Sequence, residues 1–271
     1  MNDRAIGVFD SGLGGLTCVK ELKKLMPNES IIYFGDTGRV PYGTRSRETI
    51  IKYVSQNIRF LKTFGVKLIA AACGTASTLA LEEAKAAAGD IPVIGVVEGA
   101  SEDAARATKN GRIGVIGTPA TIGSGAYERK LKSLRPDIYI KSAACPLFVP
   151  VVENGRADKD DPIVKILVRE YLSGIKDDGC DTLILGCTHY PLLRDAISEY
   201  LGGGVSLIDS GRSAALKVAQ YVLENSLEAH KPGQSQFYVS DANVYNFSSL
   251  AGMFLGEDIG ADVLKADIEK Y

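Results

Sequence analysis

Short runs of Ile, Val and Leu alternate along the chain with longer stretches in which apolar positions recur every three or four residues. Runs of the first kind suit strands buried on both faces, and the second kind suits helices that cover them, so the alternation predicts an α/β fold on parallel sheets. The predicted strands are 5–9, 30–34, 68–72, 93–97, 112–116, 139–143, 182–185 and 206–208. Between two of them, Ile50, Ile51, Val54, Ile58 and Leu61 stripe one face of a helix over 48–64, a pattern that packs on a sheet and is core.

Laying the second half of the chain over the first shows an approximate repeat. Ile6-Gly7-Val8-Phe9-Asp10-Ser11-Gly12 resembles Ile113-Gly114-Val115-Ile116-Gly117-Thr118-Pro119, each an apolar strand that ends in small or hydroxylated residues. Leu68 to Thr75 resembles Leu183 to Thr188, each a strand running into a Cys with a Thr one or two places on. Two similar halves facing each other would explain both pairs, and chance similarity between short α/β strands is the competing explanation. Open parallel sheets bind ligands at the carboxyl ends of their strands, so these four ends are expected to meet in one cleft.

Length and charge narrow the possibilities. A chain of 271 residues can bury a large core in one or two units. With 31 Lys plus Arg against 33 Asp plus Glu, no broad positive field exists to hold a phosphate backbone, which argues against nucleic acid as a partner. Apolar runs such as 67–72 fall well short of the roughly 20 residues a membrane span needs, and no export segment is visible. The five cysteines, 18, 73, 145, 180 and 187, are odd in number and scattered, which fits free thiols in a reducing cytoplasm. No Cys-x-x-Cys pair occurs and the histidines number two, so no metal site is expected.

Cys73 and Cys187 carry the candidate chemistry. Each follows a predicted strand and precedes a stretch that reads as a first helical turn, 75–79 after Cys73 and, with Pro191 at a first helical position, 192–201 after Cys187. A thiol near a helix N-terminus is expected to favour the thiolate. Alone, either cysteine reads equally as a small core hydrophobe. As a matched pair they suit inversion at a carbon acid, in which one group removes a proton and the other delivers one from the opposite face. A disulfide redox pair is the rival, but its Cβ atoms would lie within about 4.5 Å and leave no room for a ligand. Asp10 either orients an ammonium group and assists Cys73 or caps a loop. His189, two residues after Cys187, is a general acid or a loop cap. Glu153 reads from the residues alone as an exposed loop acid. The Gly12-Leu13-Gly14-Gly15 run lacks phosphate-loop spacing, and tight turning from strand to helix explains it.

From Ile6 to about Leu223 the chain resembles the glutamate racemases. The resemblance is carried by Gly7-Val8-Phe9-Asp10-Ser11-Gly12, Tyr33-Phe34-Gly35-Asp36-Thr37, Arg39-Val40-Pro41-Tyr42-Gly43, Gly114-Val115-Ile116-Gly117-Thr118, Cys145-Pro146-Leu147-Phe148-Val149-Pro150, Gly186-Cys187-Thr188-His189-Tyr190-Pro191 and Ile208-Asp209-Ser210-Gly211. It implies two pseudo-symmetric α/β domains, each a parallel-sheet three-layer sandwich, with the active site in the cleft between them. The first domain would comprise 1–97 with 209–271 and the second 98–208. It further implies a cytoplasmic homodimer that interconverts L- and D-glutamate without pyridoxal phosphate or metal and supplies D-glutamate for peptidoglycan. Carried over by motif, Cys73 acts on the D-isomer and Cys187 on the L-isomer, assisted by Asp10 and by His189 with Glu153. Asp10, Ser11, Pro41, Tyr42, Gly43, Gly74, Thr75, Thr118, Thr121 and Thr188 are the implied substrate-pocket positions.

The chain departs from the family pattern at two places. Ala72-Cys73-Gly74-Thr75-Ala76 stands where Ala-Cys-Asn-Thr-Ala is usual. Loss of the asparagine amide removes a hydrogen bond worth about 1.5 to 3 kcal/mol, or roughly ten- to hundred-fold in affinity or rate. Water filling a vacated space, or a larger pocket for a different amino acid such as aspartate, is the expected consequence. A catalytically silent binding homologue is the alternative from another class. The second departure is Val97-Glu98-Gly99-Ala100, where proline commonly follows the glutamate.

Overall fold

A computed structural model describes residues 2–241, 247–256 and 263–271, with the side chains of 247–250 outside the description. Residues 1, 242–246 and 257–262 of the expected first domain therefore lie outside the described residues. The strands are β1 (Ile6–Asp10), β2 (Ile31–Gly35), β3 (Leu68–Ala71), β4 (Val93–Gly95), β5 (Arg112–Gly117), β6 (Tyr139–Ala144), β7 (Thr182–Leu185), β8 (Ser206–Asp209), β9 (Gln236–Val239) and β10 (Val263–Lys265). They form two sheets, ordered β10-β9-β2-β1-β3-β4 and β6-β5-β7-β8, and every pairing is parallel.

The repeat seen in the sequence is a repeat of topology. The order β2-β1-β3-β4 in the first sheet is the order β6-β5-β7-β8 in the second, with β1 matching β5 and β3 matching β7. Strand residues alternate between faces, as the pleat requires. In β1, Ile6 and Val8 enter a core that also takes Leu183 and Leu185 of β7, while Phe9 enters the core beneath the helix Arg47–Lys62. In β7 the intervening Ile184 turns to the other face of its own sheet, beside Ile113, Val115 and Leu131. One core thus runs continuously under both sheets and holds the two halves together.

The helix Arg47–Lys62 begins where Ser46 accepts a hydrogen bond from the Thr49 N–H at 3.3 Å, and it buries Ile50, Val54, Ile58 and Leu61 of the expected stripe, with Ile51 half-buried. The helices Leu16–Leu25, Val96–Ala107 and Ser210–Glu224 pack side by side. The last two bridge the halves, since Val96–Ala107 leaves the first sheet to lie against β7 and β8, and Ser210–Glu224 returns from β8 to the first.

Two predictions are corrected. The strand expected over 93–97 stops at Gly95, because Val96 and Val97 already belong to the next helix. Strands β9 and β10 went unseen in the sequence, being four and three residues long, and they extend the first sheet beyond β2.

Candidate active site

The ends of β1, β3, β5 and β7 converge on one cavity of about 30 Å³. Ser11 reaches it from β1, Cys73, Gly74 and Thr75 from β3, Thr118 from β5, and Gly186, Cys187, Thr188 and His189 from β7. Pro41, Tyr42 and Gly43 close one wall and Glu153 contributes to another. Of the candidate residues, Asp10 and Thr121 stand just behind this surface. Asp10 is fully buried at the end of β1, and Thr121 is hydrogen-bonded to the lining hydroxyl of Thr118 at 3.1 Å. Val40, Val149 and Gly186 also line the cavity and were not singled out in the sequence. The position of Gly186 just before the second cysteine of the repeat was the available signal.

All five cysteines are free and buried, so Cys73 and Cys187 look onto the cavity as thiols, one from each half. Cys73 caps the six-residue helix Gly74–Leu79, its Sγ accepting from the Ala76 N–H at 3.4 Å and donating to Ser11 Oγ at 3.6 Å. The helix N–H of Ala76 favours the thiolate, as its position suggested, but it is outweighed. Burial, reinforced by the neighbouring Asp10 carboxyl, pushes the Cys73 thiol up to about 12. Asp10 itself is raised by burial, against the pull of His189 and of backbone N–H groups. Its Oδ2 accepts from the Gly12 N–H at 3.0 Å, and its Oδ1 has no hydrogen-bond partner among the described residues.

Cys187 differs from expectation in its setting. The chain beyond it enters a 3-10 turn, Tyr190–Leu193, which contains Pro191, and the α-helix starts only at Arg194. What faces the Cys187 sulfur is the imidazole of His189, with Nδ1 at 3.9 Å. Nε2 of that ring pairs with Glu153 Oε1 at 3.0 Å, and Phe254 packs edge-on against the ring at 5.1 Å. Burial alone would lower the His189 pKa, but its bonds to Cys187 and Glu153 outweigh this and raise it to about 10. Glu153 is accordingly not a loop acid. It ends the helix Phe148–Glu153 with its side chain 35% exposed and the imidazole as its partner.

The seam between the halves is built from residues without room for larger side chains. Thr75 of the first half shares a hydrogen bond of 3.0 Å with Thr118 of the second, and Thr17 reaches the Thr188 carbonyl at 3.5 Å. A Cβ on Gly14 would collide with the Thr188 hydroxyl and approach His189 Nδ1 to 2.7 Å, so this glycine serves close approach of the second half as well as turning. A Cβ on Gly74 would collide with the backbone carbonyl oxygen of Gly186. The space expected to be vacated at position 74 is therefore occupied, and the pocket is narrowed there.

Among the described residues no Lys or Arg lines the cavity, which leaves hydroxyls, backbone N–H groups and His189 to hold an anionic ligand. Among the described residues, no group of three or more His, Cys, Asp or Glu side chains is placed to hold a metal ion.

A family model described as Asp/Glu/Hydantoin racemase matches residues 15–218. A glutamate racemase of Geobacter metallireducens is 44% identical over 98% of this chain and 97% of its own, and that of Aquifex aeolicus 46% identical over 94% and 95%. The crystal structure of glutamate racemase from Francisella tularensis in complex with D-glutamate superposes with a TM-score of 0.93 at 40% identity, covering 100% of both chains. With the family model matching residues 15–218 and these relatives covering nearly the whole chain, the chain belongs to the Asp/Glu/Hydantoin racemase family, and within it to the glutamate racemases.

Proposed function

We propose that the chain is a cofactor-independent glutamate racemase that interconverts L- and D-glutamate through two opposed thiols. The observation that carries this reading is the pair of buried free thiols, Cys73 and Cys187, each two residues beyond an equivalent strand and both facing one cavity. From L-glutamate, the Cys187 sulfur takes the Cα proton, the C–H electron pair stays on carbon and spreads into the α-carboxylate, and the Cys73 S–H protonates the opposite face. From D-glutamate the same steps run in reverse with the roles exchanged. A thiol held near 12 rests protonated, so Cys73 waits as the acid and becomes a base by relaying its proton to Asp10. His189, oriented by Glu153, moves a proton to and from Cys187. Hydroxyls of Ser11, Thr75, Thr118 and Thr188, with the backbone at 41–43 and 74, bind the carboxylates and ammonium, and Thr121 holds the Thr118 hydroxyl from behind.

A cavity of about 30 Å³ admits little more than a water molecule or two, so glutamate enters when the unit 98–208 parts from the unit formed by 1–97 and 209–271. The approach of the Gly186 carbonyl to Gly74 narrows the pocket and motivates a second reading, a shorter acid such as aspartate as substrate. Supply of D-glutamate to peptidoglycan in the cytoplasm by a homodimer completes the proposed role. Among the described residues no helix is long and apolar enough to cross a membrane. Proton NMR of L- and D-glutamate in deuterium oxide, with chiral analysis of the product, tests the reading. Loss of the α-proton with inversion from both isomers is expected. Inversion of aspartate in place of glutamate would transfer the assignment to the shorter acid, and no exchange with either would end the racemase reading.

A further inference from the structure

Tyr42 lines the cavity, yet its hydroxyl is turned away from it, donating to Oδ2 of Asp36 and accepting from Asn57 Nδ2 at 3.2 Å. Asp36 is fully buried directly beyond β2, and its backbone N–H is fastened to the Asp10 carbonyl at 3.0 Å. Both of its carboxylate oxygens accept from Arg39 Nε, at 3.0 and 2.8 Å. The Arg39 guanidinium then spends its remaining donors on Gln56 at 2.5 Å, Asn57 at 3.3 Å and Glu269 at 3.2 Å, and lies 4.1 Å from the centre of the Tyr53 ring. The segment 37–44 between them contains two 3-10 turns and no longer element, so its shape depends on this network. The same segment forms the seam, because a Cβ on Gly43 would press to 2.7 Å from the Thr118 side chain of the other half.

We propose that Asp36 is a positioning residue for substrate binding. Through Arg39 and Tyr42, its carboxylate holds the 41–43 backbone against the cavity at the spacing that receives a substrate carboxylate. This rests on the racemase reading and deepens it. Tyr42 then contributes its main chain and ring to the pocket, with its hydroxyl committed to the scaffold. An uncharged amide at position 36 can still accept from Tyr42 but gives up the buried ion pair with Arg39, leaving the guanidinium only the solvent-exposed Glu269 carboxylate as counter-charge. Charge-assisted hydrogen bonds of this kind are worth about ten- to hundred-fold in an equilibrium, which sets the size of effect to look for.

The test compares the parent with Asp36→Asn and Tyr42→Phe in steady-state racemisation of both glutamate enantiomers and in amide hydrogen–deuterium exchange. Asp36→Asn is expected to raise KM about 30-fold while kcat stays within about 3-fold, and to speed exchange over 36–45 with the rest of the chain unchanged. Tyr42→Phe, which keeps the Asp36–Arg39 pair, is expected to raise KM about 5-fold and serves if the first variant does not fold. A fall in kcat at constant KM would show only a smaller folded fraction and overturn the proposal. So would unchanged exchange over 36–45, or faster exchange without a rise in KM. If the parent itself turns over neither enantiomer, the racemase reading fails and the substrate-positioning role falls with it, while the exchange data alone report whether Asp36 orders the loop.

Discussion

The surroundings of Cys73 and Cys187 share a backbone and differ in chemistry. Each sulfur sits two residues past the strand, β3 or β7, that pairs with the first strand of its half, and each faces the same cavity. Cys73 is supported by a helix cap, the Ser11 hydroxyl and a fully buried carboxyl whose Oδ1 has no partner among the described residues. Cys187 lacks the α-helix and has instead an imidazole tied to a carboxylate. The difference teaches that duplicated topology supplies two opposed positions, whereas proton affinity at each is set by whatever non-equivalent residues later crowd around it. Burial without a positive partner leaves Cys73 protonated at rest, and His189 gives Cys187 a charged neighbour that can exchange a proton with it.

The comparison breaks most sharply at the sulfurs. Cys73→Ser and Cys187→Ser should each lower racemisation of both enantiomers by about 10³- to 10⁴-fold in a chiral assay, and near-parent activity in either would remove that thiol from the mechanism. The supporting residues come next, with Asp10→Asn and His189→Asn each costing about 10²-fold. Because enantiomers are equal in energy, kcat/KM must fall equally in both directions. The asymmetry has to be read in α-deuterium isotope effects, which should grow for D-glutamate in the Asp10 variant and for L-glutamate in the His189 variant. Identical isotope patterns would mean that the two supports act on both sulfurs.

At the seam, Gly74→Ala should cost roughly 10- to 100-fold in kcat, since overpacking against the Gly186 carbonyl raises the closed state by about 1 to 3 kcal/mol. An unimpaired alanine variant would show that the halves close without that contact. The smallest effect concerns stability. His189 is raised in the folded chain from its ordinary 6.5 to about 10. Its contribution is therefore complete below about pH 6.5, declines as pH rises from there, and is lost above about pH 10. Thermal melts should show the parent losing on the order of 5 °C more than His189→Asn over that window, and parallel curves would place the proton elsewhere.

Apolar runs were enough for eight of the ten strands among the described residues, most clearly for β1, β2, β3, β5 and β7, because a strand buried on both faces must be written in consecutive apolar residues; β6 and β8 are half-exposed edge strands. The repeat was legible for the same reason, and with it the meeting of four strand ends. Strands β9 and β10 were too short to rise above their flanks, and they are held by pairing with β2 and with each other.

Within the site, residue type and place along the chain pointed to Cys73, Cys187, Asp10 and His189, since each stands at or just beyond a strand end. Three things depended on contacts across large gaps in sequence, which no local pattern records. Glu153 meets His189 only because its helix ends against the second sheet's loops. Asp36 becomes the centre of a buried network through Tyr42, Arg39 and, by way of Arg39, Glu269. Gly74 closes the pocket where the missing side chain suggested opening it, because the carbonyl of Gly186 approaches from the other half. The sequence by itself determined eight of the described strands, the duplication and the two thiols, all written in local pattern. Only the tertiary structure decided how those thiols are tuned and how tightly the cavity shuts, because both depend on burial and on distances between segments far apart in the chain.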